Sequence, residues 1–169
     1  MLYKRLLIGD KMKIIVMILG LSLLFISCSS QKMIEGTTIK DSDENRELYD
    51  IMQKYNKYLE AKDIDGIMSL VSKRYYDNSG TIDNADDFGY SQLKDILTKR
   101  FSQIKEIFQT IKVRKIVHSK SDNKYYVTYE YNAKFLMNIG SNSEWHKKSD
   151  INQMVFQKED KKFKIIKGL

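Results

Sequence analysis

Apolar side chains recur along this chain in two rhythms. Leu48, Ile51, Met52, Tyr55, Tyr58 and Leu59 are spaced by three and four residues, and Asp41, Ser42 and Asp43 offer capping oxygens just ahead of them. That spacing predicts an amphipathic helix. Ile64, Ile67, Met68 and Val71 repeat it over fewer turns, with Asp63 at the start of a second, shorter helix. Leu93, Ile96, Leu97, Phe101, Ile104, Ile107 and Phe108 predict a third helix of about four to five turns. From Ile111 onward the character changes: Ile111, Val113, Ile116, Val117 and the run from Tyr125 to Met137 are rich in β-branched and aromatic residues, interrupted by the turn formers Ser121, Asp122 and Asn123. Further turn formers at 140–143 and 159–162 delimit two more strands, the last from Phe163 to Lys167. Connections this short make the strands antiparallel, because a parallel crossover needs a dozen or more residues. Between the second and third helices, Tyr75 to Gly80 reads as a short strand and a turn, followed by an acidic loop to Tyr90. The pattern predicts an α+β domain in which three helices cover one face of a curved antiparallel sheet of four to five strands.

A different pattern opens the chain. Lys11 and Lys13 precede a largely apolar run from Ile14 to Phe25, followed by Ile26, Ser27, Cys28 and the polar Ser29. A membrane-crossing helix needs roughly 20 apolar residues, so this shorter run fits the core of an export signal better than a membrane span. The segment Leu24-Phe25-Ile26-Ser27-Cys28 resembles a bacterial lipoprotein signal, whose cysteine is lipidated and becomes the mature N-terminus. The resemblance implies that residues 1–27 are a signal peptide, that Cys28 carries the lipid, and that residues 28–43 tether a domain at 44–169. Two or more acyl chains would hold such a domain on a membrane of the cell envelope without spanning it. An uncleaved anchor or a buried structural thiol are the alternatives for Cys28. Ser29 lacks the acidic character that retains the resembled lipoproteins at an inner membrane, which favours an outer membrane where two exist. Asp10 sits within a stretch expected to be basic, so Met12 is a second candidate start beside Met1.

In the domain, the helix before Ala61-Lys62-Asp63-Ile64-Asp65-Gly66-Ile67-Met68, the pair Tyr76-Asp77, and the strand from Ser149-Asp150 that leads to Glu159-Asp160-Lys161-Lys162-Phe163-Lys164-Ile165 resemble the nuclear transport factor 2-like superfamily, which includes ketosteroid isomerase. The resemblance implies a cone of curved sheet around helices, with a mouth able to hold a small apolar molecule. It is also compatible with a homodimer through the open sheet face.

Composition narrows the function classes. The 169 residues carry 29 Lys and Arg against 22 Asp and Glu, a net charge of +7, with a single cysteine, two histidines and no proline. One cysteine excludes a disulfide scaffold, and so few His and Cys leave little for a zinc site. No cofactor or metal is expected. Removal of residues 1–27 takes away a net +3, so the basicity of the mature chain is modest. Lys112, Arg114, Lys115, Lys147, Lys148, Lys158, Lys161, Lys162, Lys164 and Lys167 make the sheet half basic. In an exported protein nucleic acid is not the expected partner; the patch reads first as a solvated face with edges guarded by lysine, and if it has a partner, anionic lipid headgroups or envelope polysaccharide are favoured.

The candidate pocket residues are Tyr75, Tyr76, Asp77, Tyr129, Tyr131 and Asp150. A carboxylate to move a proton and phenols to stabilise an oxyanion are what an isomerase or dehydratase needs. Each also has a structural explanation. Asp77 precedes Asn78-Ser79-Gly80 and reads equally well as a turn former, and a tyrosine stripe is commonly a packed face. His118 and His146 have no partner at metal-ligand spacing. Asp83, Asp86 and Asp87 suggest calcium, but an EF-hand loop counted from Asp83 places Lys94 at the bidentate position and Gly89 one place late. Phosphate-loop, nucleophile-elbow and paired-histidine motifs are absent. The expected function is therefore non-catalytic: a lipid-anchored envelope protein that binds a small hydrophobic ligand or another envelope protein. The alternative is a small proton-transferring enzyme that uses the same pocket.

Overall fold

The computed structural model describes residues 32–78, 87–140 and 142–169. The signal segment, Cys28, Asp83 and Asp86 lie outside the described residues. The described elements run in the order α1 (Asp43–Glu60), α2 (Ile64–Leu70), β1 (Tyr76–Asp77), β2 (Phe88–Gly89), α3 (Tyr90–Ser102), β3 (Ile104–Ser119), β4 (Lys124–Ile139), β5 (Asn142–Glu159) and β6 (Lys162–Lys167). β3 to β6 form a four-stranded antiparallel meander, and β1 and β2 a separate two-stranded antiparallel pair. No described helix is long and apolar enough to cross a membrane.

Both early helices begin where capping chemistry sits. The Ser42 side chain accepts from the Asn45 N–H, and the Asp63 side chain accepts from the Gly66 N–H. Each satisfies an amide that the first helical turn leaves without a partner. α1 buries Leu48, Ile51, Met52 and Tyr55, one stripe at helical spacing. It ends through Lys62, which takes a positive φ and returns its N–H to the Leu59 carbonyl. The Lys62 ammonium then reaches the carbonyls of Ile104 and Lys105, while Glu60 accepts the Gln109 N–H and Asn56 donates to the Gln109 carbonyl. β3 is an edge strand, so α1 covers backbone groups that would otherwise template pairing with another chain.

Two sequence expectations are corrected. The third helix stops at Ser102, and Ile104, Ile107 and Phe108 belong to β3. Their spacing suits a helix, but Ile107 and Phe108 are followed by the alternation Ile111, Val113, and pairing against β4 from Met137 onward extends the strand back to Ile104. Tertiary pairing overrides the local helical spacing here. The expected tether is also too long at its C-terminal end. Residues 33–40 form a small turn closed by a Met33–Lys40 bridge, and Ile34 and Ile39 are buried in the core, so burial of two isoleucines folds a segment whose sequence is mostly polar.

β4 alternates between its two faces. Tyr125, Val127, Tyr129 and Ala133 of β4 are buried, and their cross-strand partners Phe156 and Met154 of β5 meet the helices on the same face. Register shifts at 104–106 and 113–115 in the β3–β4 pairing and at 155–156 in the β5–β6 pairing bend these long strands around the helices. The result is a sheet with an inner face packed on α1, α2 and α3 and an outer face open to solvent.

Candidate functional site

The inner face gathers four phenols. Tyr129 and Tyr131 neighbour each other on β4 with ring centroids 6.3 Å apart. Tyr55 enters from α1, close enough to Tyr129, Tyr75 and Tyr131 for their charges to act on its hydroxyl. Tyr75 comes from the turn ahead of β1. Burial pushes the Tyr129 phenol up to about 12, with the Asn152 hydrogen bond pulling the other way. Burial is also the leading cause that raises Tyr55 and Tyr75 above the ordinary tyrosine range. Tyr55, Tyr75 and Tyr129 therefore hold their protons through physiological pH and can donate, but not abstract.

Asp77 is buried beside them and engaged. Its Oδ2 accepts the Tyr75 hydroxyl at 3.1 Å and the Gly168 N–H at 2.8 Å, while the Tyr75 oxygen accepts the Leu169 N–H at 3.1 Å. The short strand β1 thus docks onto the end of β6. The neighbouring loop reinforces it: the Ser72 N–H donates to the Ile165 carbonyl, and the buried Ser72 hydroxyl donates to Glu159, which also accepts from Arg74. These donors hold the Glu159 carboxyl below its usual range. Gly168 has φ +96°, and a Cβ on it would run into the Gln153 carbonyl oxygen. Gly168→Ala should therefore cost about 2–3 kcal/mol, the sum of left-handed strain and a backbone shift, read as a lowered denaturation midpoint with an unchanged m value. An unchanged midpoint would show that the 168–169 segment is not held in this way.

The remaining candidates do not join this group. Tyr76 is 55% exposed and its hydroxyl donates to Asp87, a bond that raises its pKa. Its ring lines an outer-face groove with Arg74, Lys124 and Tyr126. Asp150 lies directly opposite Tyr131 and so shares the inner face, but it is exposed, and its carboxylate accepts the Ile151 N–H. His118 is exposed, and its ring stacks on Tyr125 with centroids 4.1 Å apart. No cluster of His, Cys, Asp and Glu able to hold a metal occurs among the described residues.

Sequence reasoning missed two groups. Tyr55 was legible only as a core position of α1; nothing in its spacing marks it as a neighbour of Tyr75 and Tyr129. The second is an outer-face groove of about 810 Å³ lined by Phe108, Thr110, Asn132, Lys134, Trp145, Lys147 and Ser149. Two further open grooves formed by described residues, of about 660 and 530 Å³, are likewise at the surface. Leu48, Met52, Tyr55, Leu93, Leu97 and Tyr129 are buried together between the helices and the sheet.

No family model matches the chain, and no curated protein is similar to it in sequence. Solved structures are similar in fold. A ketosteroid isomerase-like protein from Erwinia carotovora atroseptica superposes with a TM-score of 0.62 at 9% identity, over 76% of this chain and 95% of that one. A candidate scytalone dehydratase from Novosphingobium aromaticivorans gives 0.61 at 13% identity, over 74% and 80%. A conserved protein from Planctomyces limnophilus gives 0.61 at 10% identity, over 74% and 92%. The fold is the α+β cone of the nuclear transport factor 2-like proteins, with three helices on a curved four-stranded antiparallel sheet. At these identities the likeness concerns fold alone.

Proposed function

We propose that this chain is a lipid-anchored protein of the bacterial cell envelope whose cone domain binds a partner rather than transforms a substrate. The observation that carries the reading is the engagement of Asp77. Proton transfer needs a carboxylate within hydrogen-bond reach of a substrate proton, in a mouth that substrate can enter. Here the buried carboxylate accepts from the Tyr75 hydroxyl and the Gly168 amide, and Tyr75 itself packs in the buried core that also holds Tyr55 and Tyr129. The open grooves lie on the surface instead, where another envelope component or a small ligand has access. Fifteen residues ending in the single cysteine support the anchor.

The enzyme reading keeps one support of its own, the buried Tyr75–Asp77 pair on a fold shared with proteins described as a ketosteroid isomerase-like protein and a candidate scytalone dehydratase. One preparation separates the readings. The chain expressed in a bacterium fed radiolabelled palmitate should incorporate label, and Cys28→Ala should lose it. Native mass spectrometry of the labelled protein, extracted from the envelope in mild detergent, should retain a bound small molecule or protein. Label that survives Cys28→Ala overturns the anchor. Reproducible chemical conversion of a retained molecule by the wild type, lost in Asp77→Asn, overturns the binding reading in favour of the enzyme.

A further inference from the structure

The outer face carries one arrangement that the cone interior does not explain. Phe108, Lys134 and Lys147 stand in one row across β3, β4 and β5, with Lys134 directly opposite both. Directly paired residues share a face, as do alternate residues along a strand. The next row on one side therefore presents Glu106, Leu136 and Trp145, and on the other Thr110, Asn132 and Ser149. Phe108 and Trp145 are 56% and 51% exposed, yet their rings lie 5.8 Å apart at 33°, forming a continuous aromatic wall. The opposite end of the same groove is polar, where the Ser149 hydroxyl donates to the Asn132 side-chain oxygen.

Two costs are built into this surface. Large aromatic rings are left half in water, and like charges placed directly across strands destabilise a sheet. Among the described residues neither Lys134 nor Lys147 forms an ion pair, whereas Glu130, one row beyond the polar end, is already paired with Arg114. A ligand that repays both costs has a flat apolar face to lie on the rings, hydroxyls for Thr110, Asn132 and Ser149, and an anionic group for the lysines. We infer that this groove binds an anionic polysaccharide, a uronic-acid-type chain, with its sugar rings on Phe108 and Trp145 and its carboxylates at Lys134 and Lys147. A second copy of the chain is the poorer occupant, because a twofold pairing about this groove would set unpaired lysines against one another. A lipid surface is poorer too, since the groove is concave and ends in polar side chains, whereas membrane insertion favours protruding apolar side chains.

Trp145 is the only tryptophan of the chain, so its emission reports on this groove directly. The test titrates the full chain, kept in uncharged detergent, with short oligogalacturonates and, separately, with neutral galacto-oligosaccharides. A saturable change in Trp145 emission is expected with the acidic sugar alone, weakening as salt rises. Phe108→Ala and the double variant Lys134→Gln, Lys147→Gln should each weaken it at least tenfold while far-ultraviolet circular dichroism stays unchanged. Four results would overturn the inference: no saturable response; an equal response to polyphosphate that survives Phe108→Ala, which would mean charge alone; a stronger response to phosphatidylglycerol micelles, which would mean a lipid surface; or emission that tracks protein concentration without ligand, which would mean self-association. None of these bears on whether Asp77 is catalytic, so failure here leaves the binding reading of the cone to its own test.

Discussion

Replacing Asp77 with alanine is expected to lower the stability of the domain by about 3–5 kcal/mol, whereas asparagine at the same position should cost only about 1 kcal/mol. The difference follows from what each substitution leaves behind. Alanine strips the acceptor from the buried Tyr75 hydroxyl and from the Gly168 amide, and a buried donor left unsatisfied costs its full desolvation. Asparagine keeps a carbonyl oxygen in the same place. A turn former at the surface behaves otherwise, since substitutions away from buried networks stay within about 0.5 kcal/mol. Denaturant melts of the two variants thus decide between the two roles the sequence allows for Asp77. Tyr75→Phe combined with Asp77→Asn should lose less than the sum of the singles, because the two side chains share one hydrogen bond. An Asp77→Ala melt that matches the wild type would remove the anchoring role, and with it the main support for a non-catalytic cone.

Most of the fold was legible because most of it is local. Ser42 and Asp63 announce the helix starts they cap, and the period-two alternation of Tyr125, Val127, Tyr129 and Ala133 fixes the buried face of β4 without knowledge of its neighbours. Where the sequence reading failed, a distant partner made the decision. Ile104, Ile107 and Phe108 fit a helix by spacing, and only pairing with β4 makes them strand. Ile34 and Ile39 lie in a polar stretch without periodicity, and only the core they reach reveals them as folded. The candidate site divides the same way. Tyr129 and Tyr131 share a face by arithmetic. The bonds from Gly168 and Leu169 to Asp77 and Tyr75 span roughly ninety residues, and no spacing rule encodes them. Trp145 sits among Glu144, His146, Lys147 and Lys148, where composition suggests solvent; the β3–β4–β5 register alone sets it beside Phe108.

Raising the pH from 9 to 12 is expected to unfold the domain cooperatively. An unfolded tyrosine ionises near 10, whereas burial raises Tyr129 to about 12 and drives Tyr55 and Tyr75 upward as well. A folded pKa above the unfolded one means that the native state prefers the protonated phenol. The stabilisation is therefore fully present below pH 10 and is lost as pH climbs through 10 to 12, where the unfolded chain gains by ionising. For Tyr129 alone the two-unit gap is worth about 3 kcal/mol by pH 12. Adding Tyr55 and Tyr75 makes the loss comparable with the whole stability of a small domain, about 5–15 kcal/mol. Tyrosinate absorbance should accordingly rise in two stages. Exposed phenols such as Tyr76 and Tyr126 titrate first, although Asp87 and Asp122 raise them, because they ionise without unfolding. The buried phenols should appear only together with the collapse of the far-ultraviolet dichroism, and Tyr129→Phe should move that collapse to higher pH. If all ten tyrosines of the domain instead ionise in one stage while the dichroism persists, water reaches the inner face of the sheet. The cone would then be an open, wet pocket in which Tyr75 and Asp77 can meet a substrate, and the proton-transfer reading would gain on the binding one.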